Sequence, residues 1–556
     1  MRALELHRRG VLLACALLAC ALIGACAGAP ISGLRFHNRA PIEDVSDARP
    51  VPLPGEREQG ERAWQIDALL HVPLDHALSI PGPQHALDVN ALDEVPRSSW
   101  FEPRIGARAV GVEEIACGPA GCQRNRELAS ARFTIKAAKA AGTAPGFLVK
   151  SDAGIRYLLK IDTSAPEAET GADIVVQRLL WAAGYHVPNN EVVYLERDRL
   201  AIDPEAELSD ADVDRVLAPA PRDDRGRVRV LLSEFLPGKP IGGFPMSGVR
   251  SDDPNDRIPH EHRRSLRALE LFFAWLGQTD VKEANTLDMW VPAEKDSDVG
   301  YVRHHQLDFG KALGTWGLHG RQRDAFAPHF DYADATSSLL SFGLARWPWE
   351  GLRAPNVRGV GRFEASRFDP ARYSPANPYA PFLYTDRFDR YWAAKIIARF
   401  SPAQLEAAIG AGHYTDPAAR AYLLTTLIER QRKAVAYGFS EVSTLDHFEP
   451  GAPTDAHFAL CARDLAVATK FARAEHTRYV LRVYDWAGEL LATAEARAAA
   501  DGKVCVPRLP IGSSRDRYTM VAYETASERG ERTYIVAHLA EDRRSGGMRV
   551  IGVERR

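Results

Sequence analysis

Two short stretches near the middle of the chain, Thr279-Asp280-Val281-Lys282-Glu283-Ala284-Asn285 and Leu307-Asp308-Phe309-Gly310, carry the side chains that a metal-assisted phosphoryl transfer needs. Such a reaction asks for neutralised phosphate charge, bridging metal ions and a positioned acceptor, and for little covalent work by the protein. Asp280 is a carboxylate suited to activating an acceptor hydroxyl, Lys282 a cation for the transferring group, and Asn285 an amide oxygen for a metal, all on one loop. Asp308 adds an anionic metal ligand after a strand-like run. Hard oxygen ligands of this kind suit Mg²⁺ or Mn²⁺. Taken singly, each stretch also reads as plain turn chemistry after a helix or strand. Their order along the chain makes them informative.

These residues need elements to hold them in place. Alternating runs predict strands at 133–136, 146–150 and 155–161, with Gly142 and Gly146 in the connection as a sparse glycine loop over phosphates. Lys160 falls in the third strand, where its ammonium is suited to phosphate oxygens. An apolar stripe at Ile174, Val175, Leu179, Leu180 and Ala183 predicts a helix capped at Gly184. The acid that orients Lys160 belongs on that helix, and Glu169 and Asp173 are the candidates. Strands are predicted again at 192–195 and 228–235, the second running through Glu234 into a connection. Beyond it a stripe at Leu266, Leu269, Phe272, Phe273 and Leu276 predicts an amphipathic helix over 262–276 that delivers the chain into the Asp280 loop. Ser401-Pro402-Ala403-Gln404 has the form of a capping box, and Asp416-Pro417 opens a helix to about residue 437. His260, His262, His304 and His305 invite a metal, but no third ligand stands at an informative spacing.

The stretch from Tyr157 to about Gly314 resembles the protein-kinase-like superfamily, in particular its atypical branches: the HipA-type toxin kinases, the phosphatidylinositol kinases and the exported CotH-type kinases. The residues that carry the resemblance are Asp173 through Gly184-Tyr185-His186-Val187-Pro188, Leu276-Gly277-Gln278-Thr279-Asp280 with Asn285, and His305 through Gly314. Asp173 stands where the toxin kinases have Glu, and Gln278 where they have Asn. The resemblance covers well under half of the chain. It implies an α+β, two-lobed kinase-like fold with a small lobe at 131–240 and a helical large lobe at 241–445. It also implies ATP with Mg²⁺ or Mn²⁺ as the cofactors, the adenine ring held by the backbone of the connection around Glu234, phosphates gripped by Lys160, metal on Asn285 and Asp308, and Asp280 orienting the acceptor.

The rest of the chain sets the context. Its 556 residues are too many for one core, and 46% hydrophobic with 26% charged residues is an ordinary globular composition. A formal charge of -3 gives no whole-chain footprint for nucleic acid. The N-terminus has a basic flank at His7-Arg8-Arg9 and an apolar run over 11–23 that is short for a spanning helix. That run ends in Leu22-Ile23-Gly24-Ala25-Cys26-Ala27, which resembles a bacterial lipobox with Cys26 as the acylated residue; Cys20 is a second site, and an uncleaved short anchor the alternative. Ala27 points to the outer membrane facing the periplasm. With residues 1–26 as signal and 27–63 as a Pro- and Gly-rich flexible tether, 64–130 reads as an N-terminal extension without evident chemistry. Cys117, Cys122, Cys461 and Cys505 remain, an even number without a Cys-x-x-Cys pair, and two disulfides in an oxidising compartment are expected rather than zinc. Period-two runs return after about 446 and predict a small all-β sandwich to residue 556.

Three function classes follow. The first is a membrane-anchored phosphotransferase of the cell envelope acting on a protein, glycan or lipid hydroxyl. The second is a catalytically inactive kinase-like binding or scaffold lipoprotein. The third, a metal-dependent hydrolase using the same carboxylates, has no motif of its own.

Overall fold

Alternating apolar residues beginning at Phe133 bury one face of a sheet, and that sheet organises the first half of the protein. The computed structural model describes residues 33–57, 61–78, 84–139, 145–162, 165–316, 332–345, 355, 357–526 and 532–556. The chain is a mixed α+β protein with four sheets among the described residues. It divides into two compact units: residues 42–90 with 94–441, and residues 442–556 with 91–93 and the described residues up to Pro41.

In the larger unit, helices α1 (Val112–Cys117) and α2 (Gly121–Ser130) precede strands β1 (Phe133–Ala138), β2 (Gly146–Ser151) and β3 (Arg156–Lys160). Helix α3 (Ala168–Ala183) follows, then β4 (Asn190–Leu195), β5 (Leu200–Ile202), α4 (Asp210–Leu217) and β6 (Val228–Glu234). The strand order is β4-β6-β3-β2-β1-β5, antiparallel except where β5 joins β1. Phe133, Ile135, Phe147, Val149, Tyr157, Leu159, Val230 and Leu232 form its buried face, an alternation that was visible in the sequence.

Helix α3 is not amphipathic; every residue from Ala168 to Ala183 is buried. Its start is capped from outside. The Asp162 carboxylate accepts the N–H groups of Glu167 (3.1 Å) and Thr170 (2.9 Å) and the Thr170 hydroxyl (2.6 Å). Asp162 is fully buried and stands 3.6 Å from the Arg229 guanidinium, which also donates to the carbonyls of Gly412 (2.7 Å) and His413 (2.9 Å). Burial raises the Asp162 carboxyl and Arg229 opposes that shift. Because Asp162 lies two residues beyond Lys160, the strand end that carries the lysine also fixes the helix it faces.

The predicted stripe over 262–276 is broken into a turn at His260–His262, a short helix at Arg264–Arg267 and α5 (Leu269–Leu276). Its polar side is buried as well: Arg264 and Arg267 lie 3.1 and 3.5 Å from Asp389 of helix α6 (Arg387–Ile397). After α5 the chain makes an antiparallel hairpin, β7 (Thr286–Pro292) with β8 (Val299–Gln306), in the register Thr286↔Gln306 to Pro292↔Gly300. The acidic run 294–298 is the tip of that hairpin. Helices α7 (Pro402–Ala411) and α8 (Pro417–Gly438) complete the unit, both with the predicted Pro in the first turn.

The other unit consists of two antiparallel sheets that bury one common cluster. One contains β9 (Leu445–Pro450), β10 (His457–Asp464) and, across from β10, β13 (Lys503–Pro510); the other contains β11 (Arg478–Asp485), β12 (Leu490–Ala496), β14 (Thr519–Ala526), β15 (Arg532–Glu541) and β16 (Met548–Arg555). Cys461 and Cys505 face each other across β10 and β13 and form a disulfide, and Cys117 with Cys122 forms another across the α1–α2 turn.

The stretch expected to be a flexible tether makes tertiary contacts at several of its described residues. Phe36 lies over Gly552 and 4.8 Å from His538, its N–H donating to the Tyr518 hydroxyl (3.0 Å). Val51 and Pro52 add to the edge of β8, Val51 being buried. Apolar side chains inside a Pro-rich stretch, and a free strand edge to receive one of them, account for the difference.

Candidate active site

The β7–β8 hairpin returns the chain to its starting point. Asn285 ends the first candidate loop and Leu307 begins the second, and the Leu307 N–H donates to the Asn285 carbonyl at 2.8 Å. Gln278 ties the loops a second time, its side-chain amide 3.4 Å from the carbonyls of both Asp280 and Asp308. The Asn285 side-chain NH₂ donates to the Asp280 carbonyl (2.7 Å), so its Oδ1 is the atom left with metal-binding capacity. Lys282 closes back on Asp280, with its ammonium 3.0 and 3.1 Å from the two carboxylate oxygens. Tyr373 supports the loop from below by donating its hydroxyl to the Gln278 carbonyl at 2.6 Å.

Lys160 reaches this site from the sheet. Its ammonium is 3.2 Å from Asp308 and 3.5 Å from Asp173. Of the two acids considered as its orienting partner, the structure brings Asp173 to it; Glu169, one turn earlier on α3, instead pairs with Lys311 at 2.5 Å. Asp173 also accepts from the Asn190 side chain (2.9 Å), which fastens α3 to the start of β4. Asp308 itself has a left-handed backbone, φ 55°, uncommon outside glycine, and its side chain is half exposed.

The electrostatics follow from this crowding. Burial alone would lower the Lys160 ammonium, but Asp308 and Asp173 raise it above its ordinary value. Lys160 is the largest influence holding the Asp308 carboxyl low, with Lys282 and Lys139 adding to it. Burial pushes the Asp173 carboxyl up against the pull of Lys160. Lys139, at the end of β1, is lowered by burial and by Lys160. Asp308 therefore sits in the field of three cations from three different elements, a setting suited to polyphosphate once a divalent ion offsets the carboxylate.

The predicted residues divide cleanly. Lys160, Asp173, Asp280, Lys282, Asn285 and Asp308 come together. Glu169 lies beside them through Lys311. Gly146 is the first residue of β2, paired with Lys160, and a Cβ there would come within 1.9 Å of the Leu159 carbonyl; close strand approach explains this glycine. Glu234 departs from expectation: its N–H donates to the Asn189 carbonyl (2.8 Å) and that of Phe235 to the Arg156 carbonyl (3.0 Å). Both donors are committed within the sheet, so a purine at this edge would need other groups. Gly142 and Cys26 lie outside the described residues. Lys139, Asn190, Gln278 and Lys311 were given no role from the sequence; Gln278, inside the Leu276–Asp280 motif, and Lys311, directly after Asp-Phe-Gly, carried a sequence signal.

The histidine pairs are packing residues. His304 stacks on Trp100 (3.5 Å between ring centroids) and bonds Asp288 at 2.6 Å, while His260 bonds Asp256 at 2.8 Å. No group of three His, Cys, Asp or Glu among the described residues is placed to hold a metal. A divalent ion at Asn285 and Asp308 would then need phosphate oxygens and water as further ligands, which is how Mg²⁺ is commonly held. His305, on β8 three residues before Asp308, is buried, and burial is the main cause of its pKa falling to about 3. A folded-state value below the unfolded 6.5 means that its stabilising contribution is complete above pH 6.5 and is lost as the pH falls toward 3. Between pH 6.5 and 4.5 this group should remove about 2–3 kcal/mol of unfolding free energy. Denaturant melts across that range will show the loss in the wild type and a flatter slope in His305→Gln; equal slopes would contradict it.

A scan against protein-family models finds no match to this chain, and a search of curated proteins finds none either.

Proposed function

We propose that the larger unit is a kinase-like phosphotransferase, transferring the γ-phosphoryl group of ATP to a hydroxyl with Mg²⁺ or Mn²⁺. The observation that carries this reading is the meeting of Lys160, Asp173, Asp308 and the Asp280–Asn285 loop around one point. The chain order supports it too: three antiparallel strands with the lysine on the third, a helix bearing its acid partner, three more strands of the same sheet, then the two loops.

In this reading Lys160 and Lys282 neutralise phosphate oxygens, and Asp173 holds Lys160 in place. Asp280 takes the acceptor proton as the bond between the γ-phosphorus and the β,γ-bridging oxygen breaks and the acceptor oxygen bonds to phosphorus. Metal ions, when bound, supply charge for the leaving diphosphate, with Asn285 and Asp308 as their protein ligands. The N-terminal lipobox-like run, together with two disulfides, supports an exported, lipid-anchored protein of the cell envelope. No helix among the described residues is long and apolar enough to cross a membrane. A protein, glycan or lipid hydroxyl fits as acceptor.

The committed N–H groups of Glu234 and Phe235 favour a second reading, a kinase-like scaffold that does not read adenine. Thermal melting of the chain lacking residues 1–26 separates the two. At one hundred times its Kd, Mg–ATP should add about 2.7 kcal/mol of stability, and Asp308→Ala should remove the response. No response to any nucleoside triphosphate with either metal would select the scaffold.

A further inference from the structure

Glu283 sits inside the Asp280–Asn285 loop, side chain 5% exposed, with one carboxylate oxygen lacking any hydrogen-bond partner. A buried carboxylate at the centre of such a loop needs compensation, and its partner comes from far away in sequence. Arg57 forms an ion pair with Glu283. The same guanidinium donates to the Gly243 carbonyl (3.2 Å), and the Arg57 N–H donates to the Ile241 carbonyl (3.1 Å).

The segment carrying Arg57 is itself strapped down. Val51 and Pro52 pair with β8, the Trp290 indole donates to the Val51 carbonyl (3.2 Å), and the Gly55 N–H donates to Asp252 (2.8 Å). Between strap and loop runs a thin layer, residues 241–244, and its two glycines make room on opposite sides. A Cβ on Gly242 would meet the Arg57 carbonyl at 2.1 Å, and one on Gly243 the Glu283 carbonyl at 2.6 Å. Thr286 links the layer back to the loop by accepting from the Phe244 N–H (3.1 Å) and donating to the Glu283 carbonyl (2.7 Å).

We propose that Arg57 is a positioning residue for the Asp280–Asn285 loop, so that residues 51–57 form part of the phosphotransfer machinery; as a catalytic claim this rests on the reading above. Arg57 touches no reacting atom. It holds Glu283 in place, and through it the spacing of Asp280 and Asn285.

The test uses the intact chain and three variants: Arg57→Ala, Arg57→Lys, and the reversal Arg57→Glu with Glu283→Arg. Hydrogen exchange at the amides of residues 281–285 should quicken about tenfold in Arg57→Ala, with little change in the sheets of the C-terminal unit. ADP release from Mg–ATP should show kcat lowered about tenfold with KM for ATP within about twofold, as expected when a reacting group is misplaced but binding persists. Arg57→Lys, which keeps charge but loses the fork, should fall between, and it answers the question should Arg57→Ala not fold. The reversal should recover most of both readouts. Unchanged exchange at 281–285, or wild-type kcat with altered exchange, would overturn the proposal. A wild type without any Mg–ATP response would instead sink the phosphotransfer reading, while the exchange data would still show whether Arg57 holds the loop.

Discussion

Asp280→Asn will lower Mg–ATP turnover about a thousandfold while leaving nucleotide binding nearly intact. The substitution keeps the shape of the side chain, its acceptor oxygen and the Asn285 bond to the Asp280 carbonyl, and it removes the charge proposed to take the acceptor proton. In the resting protein that charge is neutralised by Lys282 at 3.0 Å. Arriving phosphate would draw Lys282 away and leave the carboxylate free for the acceptor. Steady-state kinetics with ADP release as the readout will therefore show a fall in kcat with KM for ATP within about twofold. A fall smaller than about tenfold would mean that Asp280 is not the acceptor-activating group.

Lys160→Met carries the second large effect, and here stability and function separate. The Lys160 side chain is 14% exposed and that of Asp173 only 3%. Removing the ammonium strands Asp173 as an uncompensated buried carboxylate, a change that costs about 3 kcal/mol where such pairs have been broken. Asp308, half exposed, rehydrates and adds little to the loss. Adding Asp173→Asn to Lys160→Met should restore at least half of the lost stability, and restore none of the nucleotide response. Denaturant melts and nucleotide-dependent melting of the two variants check this together. If the double variant regained the nucleotide response, Lys160 would have no part in gripping phosphate.

What the sequence displayed depended on which residues faced inward. Strands β1 to β3 bury apolar residues on one face, and β4 and β6 are apolar runs buried on both, so all five were readable within a few residues. Hairpin β7–β8 was not, because two inward positions are Asp288 and His304, whose mutual bond makes them interior groups while breaking the apolar alternation. Since that hairpin brings Asn285 and Asp308 together, both loops were legible but their meeting was not. In the C-terminal unit, β11 and β14 to β16 showed their period. Strand β12, Leu490–Ala496, is rich in Ala, Leu and Glu, helix-favouring residues whose preference is overridden by pairing with β11, and β13 contains two prolines. Helix α6 was missed although its cap was written in Asp386 and Asp389, because its polar face is buried against Arg264 and Arg267.

At the site, the converging residues could be picked out because the proposed chemistry is stereotyped: a strand lysine, a loop aspartate with its asparagine, and an aspartate before Phe-Gly. The supporting residues could not. Gln278 acts through carbonyls of two loops, Asn190 through a carboxylate on α3, and Lys139 through the field it adds at Asp308; none has a spacing that announces such a role. The choice of Asp173 over Glu169 depended on the rotation of α3, which the remote cap at Asp162 sets.

The most direct test of the central claim is electron paramagnetic resonance of Mn²⁺ titrated into the protein with and without a non-hydrolysable ATP analogue. Asn285 and Asp308 supply too few ligands to retain the ion unaided, so the metal signal should change only when the analogue supplies phosphate oxygens. That change should vanish in Asp308→Ala. Mn²⁺ bound equally well without nucleotide, or bound unchanged in Asp308→Ala, would contradict a shared site for metal and phosphates between Lys160, Asn285 and Asp308.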